Sequence, residues 1–446
     1  MNFKLTAEKT ERILASRALD GWEIFQVASR NLSIEVKEQK VDTFTCSQPV
    51  GVSVRVLKEG RMGFSFSTSL DDADLEKMVD NALIGGANQT PDEFLVLPRP
   101  EPFPVLAALF DESLARVDEG EKVARALELE RLTLAADPRI RRVRKASYGE
   151  SSFEVAIRNS FGVAGYYRGT SVTGSVAAVA EEGGDSQMGW DFGFSTGFTG
   201  IDVAAIAAGA AAKAAGLLGA RKIPTLRCPV LLDNYVATEI LEVLAPAFLA
   251  ENVQKGKSFL TGRIGEQLFS PDIRIRDDGT LPGGLATGPF DGEGVPRGNT
   301  VLVDKGILGS FLFDSYTARK DGTAVSTGNG SRGGVKSPPR VGINNFFIEN
   351  GATSRDLMLA GIDRGVLITS VMGMHTANPI SGDFSVGAAG FLIEKGLVTV
   401  PVKGIAIAGN ILELFRNVEA VGNDLRFFGG VGAPSLRISE LDVSGE

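Results

Sequence analysis

The stretch GVSVRVLKEGRMGFSFSTSLDDADLEKMVDNALIGG, from Gly51 to Gly86, decides the fold. At its start Val52, Val54 and Val56 alternate with Ser53 and Arg55, the two-residue period of a half-buried strand. A short glycine-containing turn separates this strand from a second alternating run. The segment Asp71 to Leu83 then predicts a helix. It has acidic residues in its first turn, where the macrodipole favours them, and Gly85-Gly86 after its expected end. Consecutive strands joined by short glycine turns pair antiparallel, which makes the class α+β rather than parallel α/β.

Working outward, SIEVKEQKVDTF from Ser33 completes a unit spanning residues 33–86. A diverged copy occupies residues 152–219: SFEVAIRNSFGVAGYYRGT from Ser152, then SVTGSVAAVAEE and DFGFSTGFTG, and finally the helical IDVAAIAAGAAAKAAGLLG. Between the copies stand a proline-rich connector, LPRPEPFP, and a charged helix from about Glu119 to Ala136. The Pro-containing stretch Arg221 to Pro229 marks a boundary. Two α+β domains are expected, 1–222 with the duplicated strands-plus-helix unit and 223–446 rich in strands. In the second, VLLDNYVATEILEVLAPAFLA reads as a helix interrupted by Pro246. TVLVDKGILGSFLF reads as a hairpin turning at Asp304-Lys305-Gly306, and VLITSVMG, FSVGAAGFLIEKG and LVTVPV as further strands. Gly409-Asn410 starts the short helix ILELFRNV.

Composition excludes several functions. The net charge is −9, and the densest basic cluster is Arg139, Arg141, Arg142, Arg144 and Lys145. Duplex binding depends on neutralising phosphates, so nucleic acid is not an expected partner. The N-terminal MNFKLTAEKTERILASRALDG reads as an amphipathic helix with Leu5, Ile13, Leu14 and Leu19 as apolar members, not as a signal peptide. Val203 to Ala220 approaches membrane length, but it is rich in Ala and Gly and broken by Lys213, so a buried helix is expected. Cys46 and Cys228 show no disulfide pattern, as in a reducing compartment, and a cytoplasmic location is expected.

The single histidine, His375, leaves no room for a conventional histidine-based metal site. A Ser-His-Asp triad would need it too, but no G-x-S-x-G elbow accompanies it and GDFSVG misses the spacing. GNGSRG, Gly328 to Gly333, matches G-x-G-x-x-G, yet GVKSPPR follows and cannot open the helix that a dinucleotide site needs. It reads as a flexible or ligand-covering loop. The carboxylates of PFDGEGVP and SGDFS stand beside glycines, where Asp and Glu are turn formers more often than acid–base pairs.

Five stretches spread over residues 20 to 440 together resemble the TldD/PmbA family, once described as modulators of DNA gyrase. They are NPISGDFSVGAAGFLIEKGLVTVPVKGIAIAGN (Asn378 to Asn410), GRIGEQ (Gly262 to Gln267), TGPFDGEGV (Thr287 to Val295), SYTARK (Ser315 to Lys320) and RNSFG (Arg158 to Gly162). In the TldD branch, the resemblance implies, an H-E-x-x-x-H helix and a later cysteine hold a metal that hydrolyses peptides. Anchored on GRIGEQ, that helix falls on Asp233-Asn234-Tyr235-Val236-Ala237-Thr238. Asp233 and Thr238 occupy the histidine places, and Asn234 the glutamate place. After Gly422-Asn423-Asp424 the chain continues LRFFGGVGAPSLRI without a cysteine. Asn cannot act as a general base, and Asp233 reads as the cap of the helix that follows.

This pattern is similar to the PmbA branch, also called TldE. The resemblance implies no catalytic residue and no metal in this chain, with a divalent metal, zinc by expectation, in a TldD-type partner subunit. It also implies a dimer, with that partner or with a second copy, enclosing a channel for unfolded peptide. Ser381, Gly382, Asp383, Ser385 and Gly387 are candidate channel positions. Two alternatives stay open: a self-sufficient hydrolase with remodelled carboxylates, and a direct modulator of DNA gyrase, which the acidic composition disfavours.

Overall fold

The alternating runs of the first half assemble into one antiparallel sheet. Its strands are β1 (Gly21–Lys37), β2 (Lys40–Ser47), β3 (Val50–Lys58), β4 (Arg61–Ser67), β5 (Ile140–Asn159), β6 (Ala164–Glu182) and β7 (Asp185–Ser195). They lie in the order β4-β3-β1-β5-β6-β7, and β2 pairs with the far half of β1. The computed structural model describes residues 2–322 and 325–445; Met1, Thr323, Ala324 and Glu446, hence the outermost ends of both expected domains, lie outside the described residues. Four helices, α1 (Phe3–Ala15), α2 (Asp72–Ala87), α3 (Glu119–Ala136) and α4 (Val203–Gly216), all pack on one face of the sheet. Leu14, Leu75, Met78 and Val79 cover Ile24, Val52 and Val54, while Leu129, Ile206 and Ala210 cover Ile34, Tyr148 and Val176.

The elements fall into two helix–strands–helix units whose bounds are wider than the 33–86 and 152–219 expected from the sequence. The first runs from α1 to α2 through four strands, with β2 and β3 both paired to β1; the second runs from α3 to α4 through the three-strand meander β5-β6-β7. The first begins at α1 rather than at Ser33, and the charged helix α3 belongs to the second unit rather than to the connector. Alternation before Ser33 is masked because Glu23 and Phe25 on one face, and Ile24 and Gln26 on the other, each pair a polar with an apolar residue; Val52 to Val56 are also buried on both faces rather than half-buried. The units meet along an antiparallel seam between β1 and β5, from Glu23 opposite Asn159 to Val36 opposite Ala146.

Helix α2 also runs on to Ala87 instead of stopping before Gly85. The glycines there serve close approach rather than termination: Gly86 rests on Gly63 of β4, and any Cβ at Gly63 would overlap the Ala82 carbonyl. Gly189 of β7 plays the same part beneath α4, against the Ala210 carbonyl. In α1 the buried face is Thr6, Ala7, Thr10 and Leu14; Leu5 is exposed and Leu19 lies beyond the helix. The apolar segment Phe198–Gly216 is long and apolar enough to cross a membrane, but half of it is buried within the fold as α4 and the turn before it.

The second half builds a sheet that closes on itself. Leu397–Asn410, Asp383–Glu394, Arg364–Met372, Leu226–Leu232 and Leu436–Ser444 follow one another, and the last pairs again with the first. A second sheet of short strands shares its core, where Phe248, Phe269, Phe346 and Phe415 are fully buried. Val230 to Leu232 are strand, and the helix starts only at Asn234 and ends at Leu244. A short apolar run buried on both sides looks alike in either state, which is why the sequence reads as one continuous helix there. Pro246 sits in a 3-10 turn, Ala245–Phe248. The hairpin at residues 304–306 turns through Lys305 and Gly306 with φ of 47° and 79°, as a tight two-residue turn requires.

Candidate functional site

The segment Asp233 to Thr238 sits where a strand of the closed sheet hands over to a buried helix. Asp233 is the helix cap: its Oδ1 accepts from the Tyr235 N–H at 3.2 Å, and its Oδ2 from Arg355 Nη1 at 3.1 Å. Asn234 Nδ2 donates to the Asp424 carbonyl at 3.3 Å. The buried Thr238 hydroxyl donates to the Asn234 carbonyl at 2.8 Å, one turn back along the helix. Asp424 is itself engaged, accepting from the Ser435 N–H at 2.8 Å and hydroxyl at 2.7 Å.

Each polar group at these positions thus fastens a loop or the helix itself. Zn²⁺ and its relatives take imidazole nitrogen, thiolate sulfur or free carboxylate oxygen. Here the only carboxylate of the segment spends both oxygens on a backbone N–H and a guanidinium, and the hydroxyl points its proton at a carbonyl. The residues present do not fit a metal ion. Among the described residues, no group of three or more His, Cys, Asp or Glu side chains is placed to hold one.

Beside this segment lies an aromatic junction that the sequence reading overlooked. The Tyr235 ring stands edge-on to Phe428 at 5.0 Å and tilted against Trp190 of β7 at 5.8 Å. Trp190 stacks on Phe192 at 6.0 Å, and Phe192 follows Phe194 at 6.1 Å. Arg426 binds buried Asp191 at 2.5 Å and lies over the Phe428 ring at 4.9 Å. A cavity of about 440 Å³ opens there, lined by Phe192, Phe194, Ile206, Leu425, Arg426 and Phe427. The Tyr235 hydroxyl donates to Glu239 Oε1 at 2.8 Å; burial raises the pKa of both groups, and the Glu239 bond raises that of Tyr235 further. The signal was present as WDFGF, an alternation of aromatic side chains on one strand face.

The candidate channel positions lie on another element, at the start of the strand Asp383–Glu394. Ser381, Asp383 and Ser385 are exposed. The Ser381 hydroxyl donates to Asp383 Oδ2 at 2.7 Å, and Asn410 Nδ2 to Asp383 Oδ1 at 2.9 Å, which lowers the Asp383 pKa. Gly382 adopts φ of +82°, and Gly387 pairs with Met372. These residues bond to one another rather than to the Asp233–Thr238 segment. His375 is exposed, in the turn Met374–Thr376 packed beside the helix Asn234–Leu244.

The motifs TGPFDGEGV and GNGSRG come together in a buried ionic cluster between the two halves. Arg55 of β3 donates to Glu23 of β1 at 3.0 and 2.5 Å and to Glu293 at 3.0 Å, and Arg332 also binds Glu23. Burial opposes charge on Arg55, but the two carboxylates outweigh it and its pKa is raised. Asp291 Oδ1 accepts from the N–H groups of Glu293 and Val295, and its Oδ2 from that of Gly330. These acidic residues are turn and latch elements.

Three family models tile this chain: PmbA/TldA metallopeptidase domain 1 over residues 22–84, the central domain over 112–218 and the C-terminal domain over 225–445. The chain belongs to the PmbA/TldD family. Among its relatives, metalloprotease PmbA of Escherichia coli O157:H7 is 29% identical over 99% of this chain and 96% of the relative. An uncharacterised protein of Methanocaldococcus jannaschii is 31% identical over 93% and 94%. TldE from Thermococcus kodakarensis superposes with a TM-score of 0.90 at 25% identity, covering 99% of each chain. A Thermotoga maritima protein solved as a candidate modulator of a DNA gyrase gives a TM-score of 0.91 at 29% identity, covering 99% of this chain and all of that one. The α+β class and two-part architecture expected from the sequence agree with those of the PmbA/TldD family.

Proposed function

We propose that this chain is the non-catalytic, peptide-holding subunit of a cytoplasmic PmbA/TldE–TldD-type metallopeptidase. A TldD-type partner would supply the divalent metal, zinc by expectation, and the bond-breaking chemistry. One observation carries the reading: Asp233, Asn234 and Thr238 are each committed to structural hydrogen bonds at the positions where the catalytic branch places its donors. The protein's part is then shape, with Ser381, Gly382, Asp383, Ser385 and Gly387 among the residues facing unfolded peptide in the shared channel.

The test is to purify the chain alone and together with the TldD-type protein of the same genome. Bound metal is measured by mass spectrometry and cleavage on an unstructured peptide. We expect no stoichiometric metal and no cleavage from the isolated chain, and both from the pair. Mutating the partner's H-E-x-x-x-H motif should abolish all cleavage. Metal-loaded, active isolated chain would overturn the proposal and favour a self-sufficient hydrolase.

A further inference from the structure

The four helices of the N-terminal half leave the other face of its sheet to different neighbours. At one end Phe25, Val155 and Ile157 are buried beneath Phe290 and Val335 from the C-terminal half. Further along, the same face becomes half-exposed and changes chemistry. Registered rows run across it: Ser33, Gly149, Thr173 and Phe194; then Ser147, Ser175 and Phe192; then Lys145, Ala177 and Trp190; then Arg142, Val179 and Met188. The floor is small and hydroxylated. Its border on edge strand β7 is a line of large apolar side chains, with Trp190 37% and Met188 53% exposed.

We propose that this face binds an extended segment of unfolded polypeptide with aromatic or bulky apolar side chains at alternate positions and acidic residues at the end nearest Arg142. This rests on the reading of the chain as a peptide-holding subunit and assigns that subunit a sequence preference of its own. Spacing supports it. Ring centroids recur at 6.0 and 6.1 Å along Trp190, Phe192 and Phe194. Alternate side chains of an extended peptide recur at roughly 6.5 Å, so one incoming ring can meet each resident ring.

Charge sets the direction. In a chain of net charge −9, a cavity of about 580 Å³ at the Met188 end is lined by Lys37, Arg141, Arg142 and Arg144. Glu38 and Glu130 also line it, but Glu130 already accepts the N–H groups of Glu38 and Gln39. Arg142 pairs with Glu181 and Lys145 with Glu35 at the solvent-facing surface, where an ion pair is weak enough to exchange for a ligand carboxylate. At Trp190 the line continues through Tyr235 to the Asp233–Thr238 segment, so a bound peptide is led to the part of this subunit that corresponds to the partner's catalytic helix.

Binding is read from Trp190 fluorescence in a Trp22→Phe background, which removes the chain's only other tryptophan. The probe is an unstructured Gly/Ser peptide with phenylalanines at alternate positions and glutamates at one end. Phe192→Ser should weaken binding about tenfold, and Phe192→Tyr should restore it. A peptide with the same phenylalanines side by side, or with lysines replacing the glutamates, should also bind more weakly. Thermal unfolding of each variant checks that the fold is intact. Equal affinity for alternating and contiguous peptides, or unchanged affinity in Phe192→Ser, would overturn the proposal. So would self-association that is lost in Phe192→Ser while the probe binds nowhere, because the face would then be a contact between copies. In the pair with the TldD-type protein, Phe192→Ser should raise KM for the alternating peptide and leave kcat unchanged. Cleavage without that KM change sinks the peptide track and leaves the subunit assignment standing. Probe binding without any cleavage by the pair does the reverse.

Discussion

The two units of the N-terminal sheet share a helix–strands–helix order, with four strands in the first and three in the second, but use their second faces differently. In the first unit, Glu23, Phe25 and Arg55 are buried under loops of the C-terminal half, and Glu23 and Arg55 form a four-residue ionic cluster with Glu293 and Arg332. In the second, Ser147, Thr173, Ser175 and the aromatic border of β7 stay half-exposed. Their helix-covered faces are alike, down to the glycine that admits the closing helix, Gly63 in one and Gly189 in the other. The helix-covered face sets the common scaffold, and the two units differ on the face that the helices leave open.

Breaking the covered side should have the largest effect. Arg55→Ala leaves Glu23 and Glu293 as buried, poorly compensated charges, and about 3–5 kcal/mol of stability should disappear in urea unfolding. Phe192→Ser on the open side removes two ring contacts and should cost only about 1–2 kcal/mol.

The next effect is that of pH on the loop that seals the covered unit. Asp277 holds Asn329 and Asn344 from a buried position, and burial pushes its pKa up to about 6; Asp291, holding Gly330, is raised too, by burial and then by Glu293. A carboxyl raised in the folded state stabilises it fully below the unfolded value and loses that contribution as pH rises through the folded value. Stability should therefore fall between about pH 4 and pH 6, by about 3 kcal/mol at most from Asp277. In Asp277→Asn the slope over that window should flatten; an unchanged slope would mean that this carboxyl does not titrate there.

The smallest effect sharpens the likeness instead of the contrast. Gly63→Ala and Gly189→Ala each force a methyl group against a helix carbonyl, and both should cost about 1–3 kcal/mol. A large cost at one and none at the other would show that the units dock their closing helices differently.

Much of this was legible in the sequence, and the gaps have physical causes. Alternation at Val52, Val54 and Val56 marks a strand because Ser53 and Arg55 between them are polar, although both faces are buried, whereas Glu23 to Gln26 put one polar and one apolar residue on each face and so lose the period. Gly85-Gly86 imitates a helix stop because close packing and termination both ask for glycine. Asp233, Asn234 and Thr238 could be placed by motif spacing, but that the first two are spent on Arg355 and Asp424 depends on segments more than a hundred residues away. The aromatic junction required Trp190, Tyr235 and Phe428 to meet, and no local pattern encodes a contact among three separate segments.

The seam between β1 and β5 has a consequence for how the molecule is held together at low abundance. Two like units joined edge to edge by antiparallel strands form what would be a two-fold homodimer if the halves were separate chains. A detached half would expose the whole edge of β1 and depend on mass action to cover it. Tethering makes that association intramolecular, so this half of the protein should keep its sheet complete at any dilution.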